Sequence, residues 1–201
     1  RDIIYNAIER ELIGVSIVSS GSSNTEITQF TFNGPLVQQV LGYKARLMAS
    51  NSIQKTIVSA SKSQGNLIGL NHSSLSQNYK LPNPSLPGLP QYEFLLSYDN
   101  LVYVFSNKGE IVALNEAGDI MRSFNLPQLK IPVHALMGDN GLLVSTREEV
   151  GQNFTMYLLN AQNGFVIKQT AMPGIGGPMC SAANSIYQVL LFFRSDGLKV
   201  V

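Results

Sequence analysis

The sequence predicts an all-β fold, a β-propeller built from four-stranded antiparallel blades, and two observations lead to this prediction. An Asn follows a short apolar strand at four points, spaced by 38, 44 and 45 positions. In two of these repeats a Gly lies six positions before the Asn. A repeat of about 40–45 residues made of short strands is typical of a propeller blade. The residues concerned are Asn33, Asn71, Asn115 and Asn160, with Gly65 and Gly109.

The first two repeats are the less regular ones. The first is predicted to contain a long hairpin, with strands at 15–19 and 26–30, and it ends at Gly42 without a proline. The second is predicted to have its third strand at 66–70 and to stop at Pro82. Proline ends a strand here because it has no N–H to donate to a sheet ladder.

The third repeat shows the plan most clearly, and the fourth follows it. Gly109 supplies the positive φ that a tight hairpin turn requires. Each recurring Asn is predicted to form the turn between the third and fourth strands, with its side chain capping its own backbone. The third repeat stops at Pro127 and the fourth at Pro173. The predicted strands are 94–98, 101–105, 110–114 and 119–124 in the third repeat, and 142–145, 154–159 and 165–169 in the fourth.

A fifth repeat is partial. A strand is predicted at 189–193 and a turn ending at Gly197, and the chain stops just before the next Asn would be expected. The interpretation is a single propeller domain, or part of one, with about four and a half blades. The rest of the ring would come from a missing portion of the polypeptide or from a second chain. Alternatively, residues 1–9 complete the last blade of a small closed ring. The approximate blades are 1–42, 43–90, 91–132, 133–178 and 179–201.

The composition excludes several classes of partner. Charged residues make up only 13% of the chain and the net charge is +1, which leaves no electrostatic footprint for nucleic acid. No apolar run reaches the length of about 18 residues that a membrane-spanning helix needs. A single cysteine, Cys180, cannot form an intrachain disulfide.

No set of residues predicts catalysis, a metal site or a bound cofactor. The two histidines are His72 and His134, and the acidic candidates are not paired at a catalytic or metal-binding spacing. The Gly174-x-Gly176 segment is not followed by a helical pattern, so it is interpreted as an inter-blade loop rather than a phosphate-binding loop. The acidic candidates are Glu9, Glu11, Asp139, Glu148 and Glu149.

Two further features leave alternatives open. Asn71 and Asn153 each begin an N-glycosylation acceptor triplet, at a predicted turn. Four aromatic residues are candidates for a binding surface, although aromatics in blade strands usually belong to the core between blades. These are Tyr79, Tyr92, Tyr98 and Phe124.

The segment from Tyr157 to Lys168, with its Asn160-Ala161-x-x-Gly164 turn, resembles the repeats of the quinoprotein-like (PQQ-like) β-propeller family. Residues 112–120 are similar but shorter, and the resemblance covers about residues 94–173. It implies a propeller fold. Enzymes of that family carry a Trp late in many repeats that docks one blade to the next, whereas this chain has no Trp. The resemblance therefore implies a non-enzymatic, scaffold-type member, as in the propeller lipoprotein of the bacterial outer-membrane assembly machinery.

The predicted function is a non-catalytic scaffold that binds a protein, within a larger envelope or extracytoplasmic assembly. Rigid propeller loops are suited to such binding, and low charge with polar loops favours a protein or a glycan as the partner. The alternatives are an enzyme or glycan-binding protein with its site at the channel mouth, and a structural piece whose ring a second chain completes. A periplasmic or secreted location is favoured.

Overall fold

The computed structural model describes most of the chain as β-strands joined by short turns. The described residues are 2–6, 11–17, 25–31, 34–41, 47–51, 53–60, 67–71, 73–81, 92–127, 131–138, 141–147, 154–172, 175–183, 188–194 and 197–200. Within them there are 19 strands and no α-helix. Asn33 and Gly65 lie outside these ranges.

The strands form five antiparallel sheets in which neighbours in sequence are neighbours in space. The predicted all-β organisation in four-stranded antiparallel units is confirmed for four sheets, while the fifth has three strands. The strands of the first two sheets are β1 (Asp2–Asn6), β2 (Glu11–Ile17), β3 (Thr25–Thr31), β4 (Gly34–Leu41), β5 (Leu47–Asn51), β6 (Thr56–Ala60), β7 (Leu67–Asn71) and β8 (Gln77–Leu81).

The remaining three sheets follow the same order. They contain β9 (Tyr92–Tyr98), β10 (Leu101–Ser106), β11 (Glu110–Leu114), β12 (Ile120–Asn125), β13 (Ile131–Gly138), β14 (Gly141–Arg147), β15 (Phe154–Leu159), β16 (Val166–Met172), β17 (Ile175–Ala183), β18 (Gln188–Arg194) and β19 (Gly197–Val200). Gly197 is thus the first residue of β19.

Two sheets begin with a strand that contains proline. β13 starts at Ile131 and includes Pro132, and β17 starts at Ile175 and includes Pro178. Residues 175–178, expected to be loop, are therefore strand. Both strands are the first of their sheets and pair on one side only, which is where a strand tolerates proline. Register shifts on either side of Pro178 absorb its irregular backbone.

The third sheet shows how local sequence sets the turns. Gly109 has φ of +80°, as predicted for the β10–β11 turn, and its N–H donates to the carbonyl of Ser106 at 3.1 Å. The Ser106 hydroxyl accepts hydrogen bonds from the N–H groups of Lys108 and Glu110, both at 3.2 Å. Every side chain of β10 is buried, whereas β12 alternates between exposed and half-buried residues.

The chain divides into two compact units, residues 1–104 with 113–121, and residues 105–112 with 122–201. In the first unit, the opening strands β1, β5 and β9 lie side by side. Its largest fully buried side chains are Ile57, Leu67, Leu70, Leu75, Tyr92 and Tyr103. In the second unit β13 lies beside β17. The core there includes Phe105, Ile111, Leu142, Val144, Tyr157 and Leu159.

A buried polar link joins the second and third sheets within the first unit. The side-chain amide of Asn51 donates to the carbonyls of Asp99 and Leu101, both at 3.0 Å, and its oxygen accepts from the N–H of Gln54 at 3.0 Å. The Gln54 amide in turn donates to the carbonyls of Asn100 and Leu114. The turn between β5 and β6 is therefore tied to the turn between β9 and β10.

Candidate functional site

The three described copies of the recurring Asn build closely similar turns between the third and fourth strands of their sheets, and the turn at Asn115 is one residue shorter than the other two. The Asn71 side-chain oxygen accepts from the N–H groups of Ser73 and Ser74, both at 3.0 Å. The Asn115 oxygen accepts from the N–H groups of Ala117 and Asp119 at 2.9 Å. The Asn160 oxygen accepts from those of Gln162 at 2.9 Å and Asn163 at 3.3 Å. These turns give a fixed frame for comparing one sheet with the next.

A residue with positive φ completes each turn, and its N–H donates to the carbonyl of the Asn. These residues are Leu75, Gly118 and Gly164. The residue that follows accepts a hydrogen bond at its carbonyl from the N–H of the same Asn, at 2.7, 3.1 and 2.8 Å in the three sheets. Ser76, Asp119 and Phe165 are therefore structurally equivalent.

Aromatic side chains of the outer strands pack against the turn glycines. The Tyr79 ring lies against Gly69 of its own sheet and against Gly118, where an added Cβ would lie 2.8 Å from Tyr79 Cδ2. In the same way, a Cβ on Gly164 would lie 2.5 Å from the Cβ of Phe124. Arg122 Nη1 donates to the Ala161 carbonyl at 3.2 Å, which holds the same turn. Tyr79 and Phe124 thus pack an outer strand against the turn of the following sheet. They make the contact between blades that Trp makes in the enzymes of the PQQ-like family.

The outer strand β16 departs from this arrangement. Tyr79 and Lys168 each lie four residues after the positive-φ residue of the turn, and each pairs with the residue two positions before the Asn. Tyr79 is buried, but Lys168 is exposed. Every side chain from Phe165 to Ala171 is exposed to solvent.

The start of β16 carries three consecutive exposed apolar side chains. Phe165 is 73% exposed, Val166 is 42% exposed and Ile167 is 56% exposed. The equivalent residues of the second sheet are Ser76, Gln77 and Asn78, all exposed and polar. In the third sheet they are Asp119, Ile120 and Met121. Because the same turn forms with Ser or Asp in place of Phe165, the fold does not require an aromatic side chain there.

Phe165 is held by its backbone while its ring faces solvent. Its N–H donates to the side-chain oxygen of Asn163 at 3.0 Å, and its carbonyl accepts from the N–H of Asn160 at 2.8 Å. The preceding Gly164 lies against Phe124. A rigidly presented, exposed aromatic loses little conformational entropy on binding, which is the property of an interface anchor.

The charges near this anchor have one sign. Arg122 and Lys168 are the charged residues within 122–127 and 160–171, and neither of these ranges contains Asp or Glu. The described strands of the β13–β16 sheet likewise contain no acidic residue. We refer to Phe165, Val166 and Ile167 together with Lys168 as the β16 surface.

The structure does not bring the predicted chemical candidates together. His134 is half-buried in β13, and burial lowers the pKa of its imidazole. Glu11 pairs with Asn6 at the start of β2, and Cys180 pairs with Leu191 in β17. In the described part of the chain, no group of three or more His, Cys, Asp or Glu could hold a metal ion. Glu9, His72, Asp139, Glu148, Glu149 and Asn153 lie outside the described residues.

Of the four aromatic candidates, one is exposed. Tyr79 and Tyr92 are buried, Phe124 is half-buried, and Tyr98 is exposed. Sequence reasoning missed Phe165 as a surface residue, because it was assigned to a strand and strand aromatics are usually buried. Comparing the repeats with one another identifies it, because Phe165 occupies the position that is Ser76 in the second repeat and Asp119 in the third. Among the described residues, no helix is long and apolar enough to cross a membrane.

No protein-family model matches this sequence, and no curated protein matches it either. Solved structures match over most of its length. BamB from Moraxella catarrhalis has a TM-score of 0.63 and 13% identity, with 97% of this chain and 61% of that chain covered. BBS1N, solved in complex with ARL6DN, has a TM-score of 0.67 and 16% identity, with 99% and 63% covered.

Hydrazine synthase of Kuenenia stuttgartiensis is also similar, with a TM-score of 0.65, 7% identity, and 89% and 62% of the two chains covered. Such neighbours are β-propellers, so the predicted fold class, a partial propeller of antiparallel blades, is confirmed. At these identities the likeness concerns the fold alone. The chain spans about three fifths of the length of the BamB and BBS1N chains.

Proposed function

We propose that this chain belongs to a β-propeller scaffold that binds a protein partner through the β16 surface. The observation that carries the proposal is Phe165, an aromatic side chain 73% exposed on a turn whose equivalents carry Ser76 and Asp119. A solvent-facing turn position favours a polar residue, and two of the three described copies follow that rule. The third exposes a ring that a partner would cover.

Burial of the apolar side chains of the β16 surface provides free energy for binding a partner. Burying a Phe, Val or Ile side chain fully contributes about 1.5–3 kcal/mol each. Part of that gain offsets the loss of translational freedom and the ordering of side chains on association. A rigid backbone at Phe165 keeps the ordering cost small. Clusters of this kind act as hot spots when surrounding contacts exclude water.

We also propose that the sheets form one propeller domain, related to the non-enzymatic members of the PQQ-like repeat family. The turn sequence Asn160-Ala161-x-x-Gly164 supports that relationship. BBS1N was solved bound to ARL6DN, which makes a protein ligand a reasonable expectation for the fold.

Site-specific photo-crosslinking tests the proposed surface. A photoreactive phenylalanine analogue is placed at position 165 and, in matched controls, at the equivalent positions 76 and 119. We expect a partner to crosslink from position 165 and not from the two controls. Its purified form should then bind the Phe165→Ser variant at least about tenfold more weakly, the loss that 1.4 kcal/mol produces. Equal crosslinking from all three positions, or none from position 165, would contradict the proposal.

A further inference from the structure

The strand β16 has a free edge beside its exposed side chains. Among the described strands it is the last of its sheet and pairs with β15 alone. Ile167 is the extra residue of a bulge, since Leu158 pairs with Lys168 and Leu159 with Val166. From Lys168 to Met172 the pairing with β15 is regular. A regular edge offers a row of outward N–H and C=O groups to which another strand can add.

This edge carries only part of the protection usual for an outer strand, namely the bulge at Ile167 and one lysine, and no bulge interrupts it between Lys168 and Met172. It contains no proline, and a single charged side chain, Lys168, lies in it. Residues 166–171 are exposed throughout, so both faces of the strand are free to receive the side chains of an added strand. By contrast, the equivalent strand β8 buries Tyr79 against the next sheet.

The charge around the edge selects the chemistry of the partner. Lys168 makes no ion pair with any described carboxylate, and the described strands of its sheet contain no Asp or Glu. A carboxylate placed opposite Lys168 would meet a cation that no carboxylate of the described strands of this sheet neutralises. A Lys or Arg of the partner at the same place would be repelled by Lys168. The edge therefore prefers an acidic segment over a basic one.

Resting on the proposed function, we infer that the partner segment is an extended, acidic strand that adds to the edge of β16 between Lys168 and Met172. Its backbone continues the sheet, and a carboxylate side chain lies opposite Lys168. An apolar side chain at one end covers Phe165 and Ile167, which the bulge presents beside the edge. Backbone hydrogen bonds would provide affinity, and the carboxylate and apolar residue would provide register and selectivity.

A library of short random peptides displayed on phage provides the probe. Selection on the whole chain should enrich peptides that pair an acidic residue with a nearby apolar residue in an extended pattern. The Lys168→Glu variant should reverse the preference, so that peptides with Lys or Arg replace the acidic ones. A selected peptide made with N-methylated backbone at alternate residues should lose at least about tenfold in affinity, because it cannot pair with the edge.

The outcomes separate this inference from the proposed function. In one outcome, the partner crosslinked at position 165 binds the Phe165→Ser variant weakly and the Lys168→Glu variant with unchanged affinity. That result would support the proposed protein-binding surface and contradict the inference that the partner segment is acidic. Selected peptides without an acidic preference, or unaffected by N-methylation, overturn the inference as well. Reversal of the charge preference together with the N-methylation loss supports it.

Discussion

The side chain of Phe124 packs against Gly164, close enough that a Cβ at position 164 would stand 2.5 Å from the Cβ of Phe124. Gly164 also has φ of +73°, a backbone conformation that L side chains rarely adopt. One glycine therefore meets two requirements, a left-handed turn and the close approach of an aromatic ring. The contact fixes the turn that presents Phe165.

Substituting Gly164 by Ala should destabilise the protein for both reasons. The left-handed conformation costs about 1 kcal/mol for a residue with a Cβ, and displacement of the Phe124 ring adds about 1–3 kcal/mol. In the Phe124→Gly background, which removes the ring and also the Cβ that would lie 2.5 Å from the added methyl, the second contribution disappears, so Gly164→Ala should cost only about 1 kcal/mol there. Urea unfolding of the four proteins of this double-mutant cycle measures the difference. Equal costs in the two backgrounds would show that the ring does not limit the turn.

Much of this fold could be predicted from local sequence, and the limits have physical causes. The strand at 110–114 and the turn at Gly109 follow from hydrophobic alternation and from glycine's tolerance of positive φ, both local properties. The place of Pro132 inside β13 could not be predicted, because sequence does not show whether a strand has one neighbour or two. Phe165 was missed for a similar reason: exposure depends on what the next sheet covers. Comparison among the repeats recovered it, since Ser76 and Asp119 show what the turn itself needs.

Removing the side-chain amide of Asn51 should weaken the link between the second and third sheets. Asn51→Ala deletes two donors to buried or half-buried carbonyls and the acceptor for the Gln54 N–H. We expect a loss of about 2–4 kcal/mol in the free energy of unfolding, because unpaired buried polar groups cost about 1–3 kcal/mol each. Ser73→Ala, at an exposed turn residue whose described hydrogen bond is made by its backbone N–H, should cost less than about 0.5 kcal/mol. Similar urea midpoints for the two variants would argue against the link.

The hydroxyl of Tyr92 is buried without a hydrogen-bond partner, and burial raises the pKa of Tyr92 to about 12 from 10.0. A raised pKa means that the unfolded chain ionises first, so this contribution to stability is complete below pH 10 and is lost as the pH rises toward 12. Tyr92→Phe should change stability at neutral pH by no more than about 1 kcal/mol. The substitution should also reduce the loss of unfolding free energy between pH 10 and pH 12. Urea unfolding at a series of pH values tests this, with Tyr98→Phe, at an exposed ring, as the control. An alkaline loss as steep as that of the unmodified protein would contradict the assignment.

The side chain of Asn163 should matter for binding more than for folding. Its oxygen accepts the N–H of Phe165 at 3.0 Å and so orients the exposed ring. Asn163→Ala removes one hydrogen bond on an exposed turn, worth about 0.5–1.5 kcal/mol. We expect a fall of about threefold to tenfold in affinity for the crosslinked partner or a selected peptide, and a loss of about 0.5 kcal/mol in the free energy of unfolding, because water replaces the hydrogen bond on this exposed turn. The matched control is Gln162→Ala, since the described hydrogen bond of Gln162 is made by its backbone N–H. Calorimetric titration should therefore separate the two neighbours. Equal affinities for both variants would mean that the ring needs no orientation by Asn163.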